Sequence, residues 1–132
     1  MQVINIAKIA EDFLERIPVV FPTYTMHNIE HSIRILEYVY EIIEPQYISE
    51  EPLSNYENHL SPLEIATIIY GALLHDIGMA PDDEINGKIK SNSLEWCDDK
   101  YYKFVEIFNG DEVLALQDYL RRIHARLSSI YI

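Results

Sequence analysis

The stretch "YTMHNIEHSIR", residues 24–34, carries His27 and His31 four residues apart, and forty-odd residues later "GALLHDIGMAP" supplies the doublet His75-Asp76. A fifth polar group of the same kind, His124, lies in "RRIHAR". An imidazole titrates near neutral pH, so it can pass a proton or, when neutral, bind a metal. Two imidazoles and one carboxylate make a suitable donor set for a divalent transition metal. A His-Asp dipeptide taken alone is explained as well by ordinary side-chain pairing, so its setting decides. "IATIIYGALL" is apolar almost all round, which predicts a buried helix ending at His75-Asp76. A carboxylate there must be paired or neutralised. The negative end of the helix dipole disfavours Asp76 and favours a nearby cation. His31 lies one turn before Ile35 on the side predicted to face the core, so it is directed inward.

These residues must be positioned by helices. Residues 2–17 predict an amphipathic helix with Ile6, Ile9, Phe13 and Ile17 on one face. Pro18 stops it, and "PVVFPTYT" is expected to be an extended connector. A second helix is expected over 27–44, with Ile35, Tyr38, Val39 and Ile42 inward and Glu30, Glu37 and Glu41 outward, ended by Pro45. Residues 45–60 predict a loop. "SPLE" then predicts a capped start at Ser61, with Pro62 in the first turn, Glu64 completing a capping box, and Gly78 as the glycine after the helix. Residues 81–93 are acidic and polar and predict a surface loop, with a turn at Asn86-Gly87. Residues 94–108 predict a further helix with Leu94, Val105 and Phe108 as apolar positions. A last helix starts near Asp111, with Val113, Leu116, Leu120, Ile123, Leu127 and Ile130 at helical spacing. The fold class is therefore all-α, a bundle of about five helices in one domain over residues 1–132.

Composition narrows the function. The chain has 22 acidic and 10 basic residues, a net charge of −12, which disfavours nucleic-acid backbones and anionic membranes as partners. Hydrophobic residues make up 48%, an ordinary globular share. The single cysteine, Cys97, excludes an internal disulfide and suits a reducing cytoplasm, the expected location. The N-terminus lacks the pattern of a signal peptide, and no apolar segment is long enough to span a bilayer. "PDDE", residues 81–84, lacks the ligand spacing of a calcium loop. Arg122 and Arg126 form a local basic segment whose guanidinium forks suit phosphate oxygens.

"HNIEHSIRIL" followed by "ALLHDIGM" resembles the HD superfamily of metal-dependent phosphohydrolases, over about residues 20–130. The resemblance implies an antiparallel helical bundle in which His31, His75 and Asp76 hold a divalent ion (Mn, Fe, Ni, Zn or Mg). It further implies a distal aspartate on a later helix. Asp118 precedes His124 and matches that position poorly, so the expectation is an N-terminal fragment of a longer protein or a natural short form. A narrower resemblance, carried by "LLHDIGM" and "RRIHARLSSIYI", is to HD domains placed ahead of GHKL-type ATPase domains in bacterial conflict and defence proteins. The His-Asn-x-x-His order of His27 to His31 also resembles the motif of class I cyclic-nucleotide phosphodiesterases. That likeness implies that His27 protonates the leaving oxygen. In several HD branches a histidine after the doublet binds a second metal or substrate phosphate, which implies such a role for His124. The expected activity is hydrolysis of a phosphate ester or anhydride, with a phosphorylated small molecule or nucleotide as partner. The alternative is a catalytically inactive sensing or protein-interaction module.

Overall fold

The computed structural model describes residues 2–23, 27–44, 47–48 and 59–132. All regular structure among them is helical. Helix α1 is Gln2–Leu14, α2 Ile17–Val20, α3 Ile29–Ile42, α4 Pro62–Leu74, α5 Asp83–Lys90, α6 Tyr101–Ile107 and α7 Glu112–Tyr131, with a 3-10 turn at Ile77–Met79 between α4 and α5. The all-α bundle expected from the sequence is what forms.

Helix α1 packs through Ala10 and Leu14, with Ile17 continuing the buried row into α2. Ile9, expected on that face, is 53% exposed, because it lies one residue, about 100° of rotation, from Ala10. Pro18 does not end helical structure. It occupies the first turn of α2, where its missing N–H costs no helical hydrogen bond.

Helix α4 starts as its sequence predicts. Ser61 Oγ accepts from the Glu64 amide at 3.3 Å, and the Ser61 amide donates to Glu64 Oε2 at 2.7 Å. Its buried residues are confined to the last turn, Ala72, Leu73 and Leu74, while Leu63 is 76% exposed. The expectation of a helix buried along its length thus holds only near His75.

The segment read as a surface loop contains α5. Asp82 caps it by accepting from the Ile85 amide at 2.9 Å. Asp83 and Glu84 occupy its first turn and Lys88 and Lys90 its last, matching the helix dipole at both ends. Asn86 and Gly87, read as a turn, lie inside this helix. The helix expected over 94–108 is shorter, Tyr101–Ile107, and its buried residues are Tyr101 and Phe104. Leu94 is buried ahead of it, and Val105 and Phe108 are half-buried. The expected loop at 45–60 lies mostly outside the described residues. On α3, the outward glutamates are exposed as expected, but Tyr38 and Ile42 are exposed too.

The buried centre joins α7 to the chain around the 3-10 turn. Leu120, Ile123 and Leu127 of α7 pack with Ile77, Met79 and Ala80. Tyr131, near the end of α7, packs its ring at a tilt of 55° against Phe13 of α1, 5.0 Å between ring centres, and its hydroxyl accepts from the Asp82 amide at 3.1 Å. Among the described residues, no single helix is long and apolar enough to cross a membrane.

Candidate metal centre

Asn28 sets the start of α3. It is the N-cap, and its Oδ1 accepts from the His31 amide at 3.1 Å. His31 is therefore the third residue of the helix and His27 lies just outside it. The two were expected on one face of a longer helix; instead the capping turn brings their rings together, edge to face, 4.9 Å between centres. The spacing His-Asn-x-x-His thus has a local cause, a capping asparagine between two imidazoles.

Asp76 follows α4 by one residue beyond the His75 cap. It occupies the N-cap position of the 3-10 turn, yet its side chain makes no capping hydrogen bond. The carboxylate is turned to the histidines instead. Asp76 is 5% exposed. Its Oδ2 lies 2.9 Å from His27 Nδ1, 2.8 Å from His75 Nε2 and 3.8 Å from His31 Nε2, and its Oδ1 lies 3.9 Å from His124 Nε2. Four imidazoles from three parts of the chain converge on one buried carboxylate.

Two of these rings are set by the same device. His75 Nδ1 lies 2.9 Å from the Ala72 carbonyl, and His124 Nδ1 lies 2.8 Å from the Arg121 carbonyl, each three residues earlier in its own chain segment. A carbonyl can only accept, so each Nδ1 carries a proton and each Nε2 is presented toward Asp76, that of His75 as a second donor, to the carboxylate. A backbone acceptor on one ring nitrogen is the usual way a ligating histidine is oriented.

The turn that carries Asp76 is fixed against α7 by two further residues. Ser128 Oγ donates to the His75 carbonyl at 2.7 Å and accepts from the Gly78 amide at 3.0 Å. A Cβ on Gly78 would fall 2.3 Å from the His124 carbonyl oxygen and 2.5 Å from the Ser128 nitrogen. Gly78 is thus required for close approach of two backbones. It was expected as a left-handed residue after α4, but among the described glycines the positive φ is at Gly110. Ser128 was not singled out from the sequence. Its signal was a serine one turn after His124 in the apolar row of α7.

Charge in the cluster is arranged unevenly. Burial pushes the Asp76 carboxyl up, but the hydrogen bonds and charges of His75 and His27 outweigh it, and its pKa lies below the usual carboxylate range. The hydrogen bond to Asp76 holds the His75 imidazole above its ordinary value, against desolvation. Burial, then the charge of His27, holds His31 below the ordinary value, against Asp76. His31 is thereby biased to the neutral form that ligates.

The donor chemistry suits a divalent ion. His27, His31 and Asp76 each offer a ligand atom within 4.8 Å of the others. His75 lies outside that mutual set, although its Nε2 touches Asp76, and His27 lies inside it, although the sequence pointed to it as an acid. Among the described residues, no contact of Arg122 or Arg126 brings either side chain to Asp76. Arg122 pairs with Asp118 at 3.3 Å and lies over Phe104, and Arg126 lies over Trp96. Both are two residues from His124, a spacing that places side chains on opposite sides of a helix.

The model of the HD-CE family matches residues 21–132. The chain belongs to the HD-CE family. The match begins just before His27 and includes every residue of the cluster around Asp76. No curated protein and no solved structure matches the chain. The HD-type domain named by the resemblance is therefore the correct coarse assignment, and the His/Asp cluster is its candidate metal centre.

Proposed function

We propose that this HD-CE domain is a metal-dependent phosphohydrolase that cleaves a phosphate ester or anhydride, with nucleotides as the expected substrate class. The observation that carries the reading is the convergence of four imidazoles on the buried Asp76 carboxylate. His31, His75 and Asp76 would hold the ion. A divalent ion there supplies Lewis-acid activation of the phosphoryl group and of the attacking water. His27, held through Nδ1 by Asp76, would deliver a proton to the leaving oxygen. His124 directs Nε2 to the same centre from α7 and would hold phosphate or a second ion. The branch found ahead of GHKL-type ATPase domains is part of this reading.

Incubation with manganese, iron, nickel, zinc or magnesium, followed by elemental analysis, tests it. About one ion or more per chain is expected, with phosphate release from a nucleotide panel, and both should be lost in His75→Ala and Asp76→Ala. A wild-type chain that takes up none of these ions would sink the proposal. One observation favours an inactive sensing or docking module: Asp76 is the single carboxylate in the cluster among the described residues, and Asp118 is engaged by Arg122. Full metal loading without turnover on any phosphate ester or anhydride would decide for that reading.

A further inference from the structure

Arg34 lies three residues after His31 on α3, a spacing that puts the two on one side of the helix with Cβ atoms roughly 5–6 Å apart. It is exposed, and it makes no hydrogen bond or ion pair with a described residue. Among the described residues Lys8, Lys103 and Arg126 also make no side-chain hydrogen bond or ion pair, but they lie on α1, α6 and α7 and not on the helix that carries His31. Other cations are engaged: Lys88 by Glu84, Lys90 by Glu112, and Arg122 by Asp118. On a surface that repels anions overall, an uncompensated guanidinium beside the histidines is where an anion would be drawn.

We propose that Arg34 grips the phosphoryl group of the substrate and selects a terminal phosphate, one with three free oxygens, over a diester. The inference rests on the phosphohydrolase reading of the same centre and names its substrate class. A guanidinium fork takes two oxygens side by side. An ion held at Asp76 would take a further oxygen. A diester offers two free oxygens and a single negative charge, whereas a monoester or the end of a polyphosphate offers three oxygens and up to two charges, so the guanidinium and an ion together favour the terminal phosphate. Arg122 and Arg126, the arginines suggested by sequence, lack this placement.

The probes are inorganic phosphate and dimethyl phosphate, titrated calorimetrically into the metal-loaded protein. Phosphate is expected to bind about tenfold or more tightly than the diester, as expected for a charge-assisted pair of hydrogen bonds. Arg34→Ala should lose that preference at unchanged metal content and helicity, and Arg34→Lys should keep part of it. On a monoester substrate the loss should fall on KM more than on kcat. Phosphate affinity in Arg34→Ala within about twofold of wild type, or equal affinity of the wild type for both probes, would overturn the proposal. Metal content reports separately on the phosphohydrolase reading. If the wild type takes up no ion, the same comparison on the metal-free protein still decides, since phosphate affinity must fall in Arg34→Ala.

Discussion

Where α3 begins and α4 ends, Asp76 is 5% exposed, four rings surround it, and α7 closes over the turn. Where α3 ends and α4 begins, Ile42 is 79% exposed, and Val39, Ile43, Ile65 and Ile68 border a cavity of about 530 Å³. Among the described residues, the same two helices thus have a tightly packed end and an open one. Apolar sequence does not explain the difference, since the open end is the richer in isoleucine. The packed end has a third element against it, α7, with Ser128 bonded to both His75 and Gly78. Placing the polar cluster there costs more desolvation but holds each ring where an ion needs it.

This contrast can be broken most severely at its centre. Asp76→Asn keeps the shape and removes the charge. Bound metal is expected to fall at least about a hundredfold in affinity, with phosphate release following it. Metal content close to wild type would mean that the packed end is not a metal centre. His27→Ala sharpens the same region. If His27 is an acid, turnover falls by about 10²–10⁴ with metal retained; loss of metal would move it into the ligand set with His31.

The pH dependence follows from opposite demands on His75. Its raised pKa stabilises the metal-free fold fully below the unfolded histidine value, about 6.5. That contribution is lost as pH rises through the raised folded value. The lowered pKa of Asp76 gives stability present above about pH 3.9 and lost as pH falls through its folded value. A ligating Nε2 on His75 must instead shed its proton. The rise in Tm on adding metal should therefore grow from about pH 5.5 to about pH 8. It should reach about 8 °C at a hundredfold excess over Kd. A rise that stays flat across this range would remove His75 from the ligands.

Two glycines offer a paired test of the packing. Gly78→Ala drives a Cβ into the His124 carbonyl and the Ser128 nitrogen, and should cost about 3 kcal/mol in urea denaturation. Gly71→Ala, within α4 and with open space around it, should gain up to about 1 kcal/mol. Ser128→Ala should cost about 1–2 kcal/mol by orphaning the Gly78 amide and the His75 carbonyl. At the open end, Ile42→Ser should change stability by no more than about 0.5 kcal/mol and leave metal uptake intact. A larger loss would show that the open end is covered in solution.

Much of the site was legible in the sequence because its residues are of rare types in short, ordered motifs. His31, His75, Asp76 and His124 were all named, and the structure brings them together. The helix carrying Asp83 to Lys90 was not recognised. Asp82 caps it, but "PDDE" and Asn86-Gly87 read as turn chemistry, and propensity there is overridden by the cap and the dipole. The turning of Arg122 and Arg126 to other partners depends on helix phase. Composition does not carry phase. Nor could the sequence separate a left-handed glycine from one that admits a neighbouring backbone, as Gly78 does.

Every amino acid other than glycine brings a Cβ, so no single substitution at Gly78 leaves the turn as it is. Other positions around the cluster have chemical near-equivalents: a glutamate for an aspartate, a threonine for a serine. This one has none among the twenty. The packing of the Asp76 turn against His124 and Ser128 therefore depends on a missing atom, and sequence change at that position leads only away from the site.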